Sequence, residues 1–284
     1  MSTWLEPEPY NWAPIVEAAL VEDLGTGDLS AGCVPVDSLA NWRIETQADG
    51  IICGLGIAEY LLSPTEFDPE GSHLMVHAKD GDRVSPGTTV ASGRLQTQRA
   101  LSSERVTLNF LMHLSGIASL TNRFAQLVEG TGARVIDTRK TLPGMRVLQK
   151  YAVRCGGGSN HRMGLYDGVM VKDNHIVACG SIQAAVDAIR RTTSHMYKIE
   201  VEATTAELAE QAIQAGAEVV LLDNMTSAEM REIVVAHKGK CLFEASGGIN
   251  LDTVREVAES GVDFISVGAL THSAPSLSIH MEFE

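Results

Sequence analysis

The chain has 284 residues, with 44 % hydrophobic and 20 % charged side chains and a formal net charge of −14. Such proportions are typical of soluble globular proteins and exclude the disordered and membrane-spanning classes. The acidic excess also disfavours nucleic acid as a partner, because proteins that bind nucleic acid usually present a basic face. A chain of this length forms one large α/β domain or two unequal ones.

The amino terminus and the cysteines indicate the cellular setting. The first residues, MSTWLEPEPYNW, lack the basic and apolar regions of a secretory signal, so we expect a cytoplasmic protein. The five cysteines are scattered and form no CxxC motif, which predicts neither a disulfide framework nor a zinc site.

The first part of the chain has the pattern of a mixed α/β region. Apolar residues recur at helical spacing over 11–24, and Gly25 is placed to end this helix. Residues 41–100 alternate strand patterns with turns, and a helical piece lies near 57–62. A further helix is predicted to begin at Ser102–Ser103 and to carry an apolar stripe to Leu127.

Beyond residue 130, short strand patterns alternate with amphipathic helical segments. This alternation is typical of βα units around a parallel sheet, and six such units predict a barrel. The predicted strands are 133–138, 167–172, 197–203, 218–224, 240–246 and 263–269. The predicted helices are near 144–155, 181–192, 204–215, 227–237 and 251–260.

Polar residues follow these strands. In a βα barrel the active site lies at the carboxyl ends of the strands, so polar residues there are candidates for chemistry. In chain order they are Arg139 and Lys140; Lys172, Asn174 and His175; Glu202; Asp223 and Asn224; Glu244 and Ser246-Gly247-Gly248; and Gly268.

A positive island lies within this acidic chain. Residues 137–175 hold seven lysines and arginines against three acids, which predicts a site for a small, highly anionic ligand. Arg139, Lys140, Arg162 and Lys172, with His161, suit the binding of carboxylates or phosphates. We assign Arg146, Lys150 and Arg154 to a solvated helix face, and we expect the glycines at 156–158 to let 160–162 loop over the barrel mouth.

The glycine turns after the last strands and the strand-end carboxylates each allow more than one interpretation. The glycine turns at Ser246–Gly248 and Val267–Ala269 indicate a phosphate site at the last two strands, or simple turn geometry. Glu202 and Asp223 could hold Mg²⁺, contact a ribose, or be solvated carboxylates. Neither a Ser/His/Asp arrangement nor a reactive cysteine is indicated, so charge stabilisation is favoured over nucleophilic catalysis.

Taken together, the motifs resemble the quinolinate phosphoribosyltransferase family over nearly the whole chain. They are EDLGTGDLS, ERVTLNFLMHLSGIA, DTRKTLPGMR, KYAVRCGGGSNHRMGLYDGVMVKDNH, EVE, LLDNM, EASGGIN and DFISVGALTHS. The resemblance implies an α/β protein with an open α/β barrel of the type II phosphoribosyltransferase kind and an N-terminal α/β sandwich. It places the sandwich at residues 1–103, completed by 271–284, and the barrel at 104–270.

The resemblance also implies an activity: quinolinate and phosphoribosyl pyrophosphate react, with Mg²⁺, to give nicotinate mononucleotide, pyrophosphate and CO₂ in NAD biosynthesis. Lys140, Lys172, Glu202 and Asp223 would be catalytic, with Glu202 and Asp223 serving the metal, directly or through the substrate's pyrophosphate. The family's homodimer would bring Arg105 into the neighbouring subunit's site. The implied quinolinate ligands are Arg105, Arg139, His161, Arg162 and Lys172, with Thr138 beside them. Phosphoribosyl pyrophosphate would be bound by Lys140, Glu202 and Asp223. Its 5'-phosphate would be bound by the backbone of Ser246, Gly247, Gly248, Val267, Gly268 and Ala269.

Departures from the family pattern are few. Ser30 stands where threonine is usual, and Met112 where glutamine is common, which questions local packing more than activity. Two other functions stay open: a nicotinate-specific phosphoribosyltransferase of related fold, and a non-catalytic metabolite-binding barrel. The number of cations favours a dicarboxylate substrate over nicotinate.

Overall fold

A computed structural model describes residues 7–284 of the chain. The predicted absence of a secretory signal falls partly on residues 1–6, which lie outside the described part. The strands are β1 Leu39–Thr46, β2 Gly50–Ile51, β3 His73–Val76, β4 Arg83–Val84, β5 Thr89–Gln96, β6 Arg134–Ile136, β7 Val169–Val171, β8 Ile199–Ala203, β9 Val219–Asp223, β10 Leu242–Ser246, β11 Phe264–Ser266 and β12 Ile279–Phe283. The helices are α1 Ala13–Leu24, α2 Leu55–Leu62, α3 Thr97–Leu127, α4 Arg146–Cys155, α5 Asp173–Cys179, α6 Ile182–Thr192, α7 Ala206–Gln214, α8 Ser227–His237, α9 Val254–Ala258 and α10 Ala269–His272.

Contacts between Cα atoms divide the chain into two units. One comprises residues up to 122 with 142–157 and 271–284, and the other comprises 123–141 and 158–270. The domain boundary predicted at residue 103 falls inside α3. The first of the two contact units instead continues to residue 122. The division inferred from the resemblance stays a prediction.

The first unit is built on an antiparallel sheet in the order β12-β1-β5-β3. Because side chains alternate across a strand, Trp42 and Ile44 of β1 point to one face, and both are buried. The helix predicted from residue 11 is present as α1, and Gly25 ends it with a φ of 53°. The next helix, α3, begins at Thr97 and not at the predicted Ser102, because the side chain of Gln96 accepts the backbone N–H of Arg99 at 3.2 Å and caps the first turn.

The second unit confirms the six predicted parallel strands, in the order β6-β11-β10-β9-β8-β7. In a closed ring β6 would also pair with β7, so the barrel is open between these two strands. The chain after α4 lies at the β6 edge, where Ser159 forms a parallel bridge with Ile136. Amphipathic helices follow β7, β8 and β9, and Thr205 and Thr226 cap two of them.

The assignment of Lys150 to a solvated helix face was wrong, because only 1 % of this residue is exposed. Charges four residues apart share one side of a helix, but α4 is buried on more than one side, including Leu148, Tyr151 and Val153. At the end of α4, a Cβ on Gly156 would lie 2.3 Å from the carbonyl oxygen of Ala118 in α3. At least one glycine of the 156–158 run therefore serves helix packing.

Two further observations concern the whole described chain. The five cysteines, all within the described residues, form no disulfide. None of the helices between residues 7 and 284 is both long enough and apolar enough to cross a membrane.

Candidate active site

Strand alternation aims the candidate side chains into the barrel of the second unit. Residues two apart on a strand face the same side, so Glu200 and Glu202 on β8 point inward together, as do Glu244 and Ser246 on β10. The strand register sets Glu202 beside Leu221 and Leu221 beside Glu244. Charged side chains therefore project from these strands into the barrel in successive layers. The strands of parallel sheets usually carry apolar residues there.

These layers enclose a cavity of about 640 Å³ at the carboxyl ends of the strands. Eleven of the predicted site residues line it: Thr138, Arg139, Lys140, His161, Arg162, Lys172, Glu202, Asp223, Ser246, Gly247 and Gly248. The other lining residues are Met170, Leu221, Asn224, Glu244 and Ser266, and of these Asn224 and Glu244 were predicted as polar strand-end candidates. A cavity of this size suits a small ligand.

Four cations dominate the cavity wall. Arg139 and Lys140 are exposed on the segment after β6, where the hydroxyl of Thr138 accepts the backbone N–H of Lys140 at 3.0 Å. Arg162 is half-buried and donates from Nη1 to the carbonyl of Gly168 at 3.0 Å. Burial, and secondarily the like charge of Arg139, lower the pKa of Arg162, although a guanidinium stays charged at neutral pH. Such crowding of cations favours an anionic ligand.

A buried aspartate holds the segment that carries His161. Asp137 is fully buried at the end of β6 and accepts the Asn160 amide at 2.6 Å and the His161 backbone N–H at 2.9 Å. We had counted Asp137 only as part of the positive island. It fixes the position of His161 and Arg162 at the open side of the barrel.

Two carboxylates stand among the cations. Glu202 is the penultimate residue of β8 and pairs with Nζ of Lys172 at 2.6 Å, and this lysine side chain is 46 % exposed. Asp223 ends β9, and its Oδ2 accepts the side-chain amide of Asn224 at 2.8 Å. Both are hard oxygen ligands in a partly exposed position, which suits a divalent cation that also binds ligand oxygens.

The glycine turn after β10 depends on Asn224. Among the described residues Asn224 alone has a positive φ without being a glycine, at 56°. A Cβ on Gly247 would lie 2.2 Å from Oδ1 of Asn224, whereas a Cβ on Gly248 would meet nothing within 4 Å. Strained backbone of this kind is concentrated at functional sites. The turn therefore requires glycine at 247 for space and leaves the backbone at 248 open.

The remaining predicted residues lie outside the cavity lining. Val267 is 2 % exposed and donates its backbone N–H to the carbonyl of Ile136 at 3.0 Å, so that N–H is engaged within the sheet. Gly268 and Ala269 are partly exposed at the start of the short helix α10. Arg105 lies on α3 with a side chain that is 59 % exposed. The residues lining the cavity include neither these four nor the strand-end candidates Asn174 and His175, which lie on α5.

Two buried acids, Glu200 and Glu244, lie beside His161; the sequence indicated Glu244 as a strand-end candidate but missed Glu200. His161 Nε2 lies 3.0 Å from Glu200 and 3.6 Å from Glu244, whose side chains are 9 % and 3 % exposed. Burial, and then the negative charge of Glu200, raise the pKa of Glu244 well above its usual value. The alternation Glu200-Val201-Glu202 was the available signal, because it places both glutamates on one face of the strand.

The fold and site define an open α/β barrel whose mouth is suited to a small polyanion. The four cations outnumber the three carboxyl groups in the lining, which belong to Glu202, Asp223 and Glu244. Burial raises the pKa of Glu244, which favours its neutral form. Carboxylates or phosphates can be clamped there without a nucleophile from the protein.

Comparison with known proteins then gives the family. Residues 28–115 match the family model for the N-terminal domain of quinolinate phosphoribosyl transferase, and residues 117–282 match the one for its C-terminal domain. The chain is 42 % identical over 262 residues to a probable nicotinate-nucleotide pyrophosphorylase [carboxylating] of Bacillus subtilis, covering 92 % of this chain and 90 % of that protein. It is 34 % identical to a quinolinate phosphoribosyltransferase [decarboxylating] of Nicotiana glauca, covering 97 % and 83 % of the two chains.

A solved structure supports the same family assignment. The crystal structure of nicotinate-nucleotide pyrophosphorylase from Ehrlichia chaffeensis superposes with a TM-score of 0.92 at 36 % identity, covering 99 % of this chain and all of that one. This chain belongs to the quinolinate phosphoribosyltransferase family. The resemblance inferred from the sequence is confirmed, and so is the fold class of an open α/β barrel with a separate antiparallel-sheet domain.

Proposed function

We propose that this protein transfers a phosphoribosyl group from phosphoribosyl pyrophosphate to quinolinate and releases pyrophosphate and CO₂. The product is nicotinate mononucleotide, a step of NAD biosynthesis. Family membership supports the reaction, and the observation that carries it to this chain is the cavity with four cations and two carboxylates at the barrel mouth. Both substrates are polyanions of a size that fits such a cavity.

The cations divide between the two substrates. We assign Arg139, Arg162 and Lys172 to the quinolinate carboxylates, because arginine binds a carboxylate through two parallel hydrogen bonds. His161 lines the same cavity, but its Nδ1 accepts the Arg162 backbone N–H and its Nε2 faces Glu200, so we assign it to positioning Arg162. Thr138 lies beside these cations, and Lys140 faces the pyrophosphate group. The cavity carries more cations than one carboxylate needs, which favours quinolinate over nicotinate.

Glu202, Asp223 and the glycine turn would receive phosphoribosyl pyrophosphate and Mg²⁺. Within the described residues, Glu202 and Asp223 belong to no group of three potential ligands, so they would hold the ion together with phosphate oxygens. The open backbone at Gly248 would receive the 5'-phosphate, with Ser246 and Gly247. Of the second turn, Gly268 and Ala269 remain candidates, because the backbone N–H of Val267 is already bonded.

The mechanism follows from charge and position. The cations fix both ring carboxylates, and this orients the pyridine nitrogen towards C1 of the ribose as pyrophosphate leaves. When bound, Mg²⁺ offsets the negative charge that develops on the leaving group. Lys140 and Lys172 add positive charge at the mouth, and the Glu202 carboxylate keeps the Lys172 side chain in place at 2.6 Å. Once the ring nitrogen is quaternary, the ring can accept the electrons left by the neighbouring carboxylate.

We also propose a cytoplasmic homodimer in which Arg105 completes the neighbouring subunit's site. The Arg105 side chain is 59 % exposed and lies 4.0 Å from the carboxylate of the adjacent Glu104, so it is available to a ligand bound by the neighbouring subunit. In mixed preparations of Arg105→Ala and Lys172→Ala, each inactive alone, a heterodimer would contain one intact site. Activity should return as subunits exchange. Inactive mixtures, with exchange demonstrated by differently tagged subunits, would remove this role from Arg105.

The decisive assay is quinolinate-dependent release of pyrophosphate, measured with and without Mg²⁺. We expect release only with quinolinate and phosphoribosyl pyrophosphate together, and its loss when EDTA removes the ion. Turnover of nicotinate without turnover of quinolinate would assign the protein to a nicotinate-specific activity. Ligand binding without pyrophosphate release would identify a metabolite-binding barrel.

A further inference from the structure

A second cavity reaches the same buried acids from the other end of the barrel. It has a volume of about 570 Å³. Its wall includes residues at the amino ends of strands, among them Arg134, Val169, Val219 and Phe264. It shares His161, Arg162 and Glu244 with the cavity at the mouth. Side chains of the buried acid cluster therefore line both cavities.

The tautomer of His161 is set by its neighbour in the chain. The backbone N–H of Arg162 donates to Nδ1 of His161 at 2.7 Å, so Nδ1 must present a lone pair. The neutral ring consequently carries its hydrogen on Nε2, which faces Glu200 at 3.0 Å. A metal on Nε2 would require loss of that hydrogen as well, leaving an imidazolate. The arrangement favours a proton over a metal ion between these groups.

The two glutamates retain unused acceptors. In the described part of the chain, the buried Oε1 atoms of Glu200 and Glu244 have no hydrogen-bond partner. A buried oxygen without a hydrogen-bond partner costs free energy, and a catalytic role is one of the reasons why native proteins retain such atoms. Glu200 lies 3.0 Å from the His161 Nε2, and burial, followed by the charge of Glu200, raises the pKa of the neighbouring Glu244, which is 3 % exposed.

We propose that Glu244 supplies the proton that replaces the carboxylate lost from quinolinate, that Glu200 and His161 position it, and that the second cavity returns the proton from solvent. This inference rests on the proposed function. Decarboxylation breaks the bond between C2 of the ring and its carboxylate, and the electron pair stays on C2 as CO₂ leaves. The product carries hydrogen at that carbon, so a new C–H bond must form.

The Glu244 carboxylic acid gives its proton to C2 and becomes a carboxylate. One proton taken up from solvent through the second cavity then restores the acid, so each turnover consumes one solvent proton. The cations at the mouth are needed as charges for the substrate, and the His161 N–H is directed to Glu200. This leaves Glu244 as the neutral acid that lines the mouth cavity.

Several charged groups determine how Glu244 holds its proton. Glu200 on the neighbouring layer of β8 favours the protonated form, and Lys172 at the mouth opposes it. His161 lies 3.6 Å away, held in place by the buried Asp137. Arg162 also lines both cavities with Glu244. Removal of the Glu200 charge alone should therefore make Glu244 a stronger acid.

The test compares Glu244→Gln with wild-type enzyme in single turnovers with quinolinate, phosphoribosyl pyrophosphate and Mg²⁺. Glutamine keeps the shape and removes the acid. We expect pyrophosphate release within a few-fold of wild type, CO₂ release slowed by roughly 100-fold or more, and accumulation of a mononucleotide that retains both ring carboxylates. Glu259→Gln, an exposed change in the Arg255 ion pair, is the matched control and should behave as wild type.

The alternatives give different results. Equal slowing of pyrophosphate and CO₂ release in Glu244→Gln would mean a structural role, and unchanged release of both would mean that water supplies the proton; either result overturns the proposal. Absence of quinolinate-dependent pyrophosphate release in wild-type protein would instead refute the proposed function.

A second variant keeps the proposal testable if Glu244→Gln does not fold. In Glu200→Gln, the pH dependence of CO₂ release should move to lower pH, because Glu244 then loses its proton more readily. An unchanged profile would overturn the proposal. So would stoichiometric binding of Mn²⁺ or Zn²⁺ that Glu200→Gln abolishes and Asp223→Asn does not, since the cluster would then be a metal site.

Discussion

Replacement of Gly247 by alanine should damage the site through Asn224, and Gly248→Ala is its matched control. In both variants a single methyl group enters the same turn. At Gly247 the new Cβ would lie 2.2 Å from Oδ1, 2.6 Å from Cγ and 2.9 Å from the backbone nitrogen of Asn224. At Gly248 it would meet no protein atom within 4 Å.

The expected losses of unfolding free energy follow from the backbone conformation at each glycine and from the room for a Cβ atom there. The φ of Gly248 is 63°, in the left-handed region, where a non-glycine residue costs about 1 to 2 kcal/mol. The φ of Gly247 is 98°, which costs about 1 to 3 kcal/mol, and the overlap with Asn224 adds about 1 to 3 kcal/mol for repacking. We therefore expect Gly247→Ala to lose about 2 kcal/mol more unfolding free energy than Gly248→Ala.

Gly247→Ala should also lose more activity than Gly248→Ala, because Asn224 contacts a carboxylate of the site. Asn224 donates to Asp223 at 2.8 Å, so a displaced Asn224 also displaces the carboxylate proposed to serve the metal. Equilibrium unfolding in urea gives the stability difference, and steady-state pyrophosphate release gives kcat. Equal losses of stability in the two variants, or a Gly247→Ala enzyme with wild-type kcat, would refute the reasoning.

Three further predictions concern the charged groups. Arg162→Ala should raise the KM for quinolinate by roughly 10- to 100-fold, since a charge-assisted hydrogen bond is lost, and an unchanged KM would contradict its role. Lys172→Gln should lower turnover at least about tenfold while costing less than about 1 kcal/mol of unfolding free energy, because its ion pair with Glu202 is partly exposed; urea unfolding and kcat separate the two effects. Glu244→Gln should flatten the pH dependence of stability. The raised pKa lets folded Glu244 keep a proton that the unfolded chain loses above about pH 4.3, so wild-type stability falls as pH rises through that window, by up to about 1.4 kcal/mol per unit. Melting temperatures of both proteins at pH 6 and pH 9 measure this, and parallel changes would count against it.

The sequence by itself determined the elements of the barrel and most of its rim. Strand periodicity located all six parallel strands, because buried strands are short apolar runs between helical segments. The rule that polar residues at strand ends face the mouth then selected Lys172, Glu202 and Asp223, which line the cavity. Specific motifs gave the family, which the comparisons confirm.

The tertiary structure decided what surrounds each charge. Lys150 shares a helical spacing with Arg146 and Arg154, yet burial of α4 on several sides removes it from solvent. The N–H of Val267 has the sequence context of a phosphate turn, but strand pairing engages it with Ile136. Local spacing cannot reveal such partners, because they come from distant parts of the chain.

The acid pair shows the same limit most clearly. Strand alternation in the sequence could place Glu200 on the face of Glu202, and Glu244 on the face of Ser246. Only the register between strands and the segment anchored by Asp137 bring both glutamates to one histidine. A carboxyl pKa depends on burial and on charges within a few ångströms, so the fold alone determined that an acid with a raised pKa, Glu244, lies beneath the positive site.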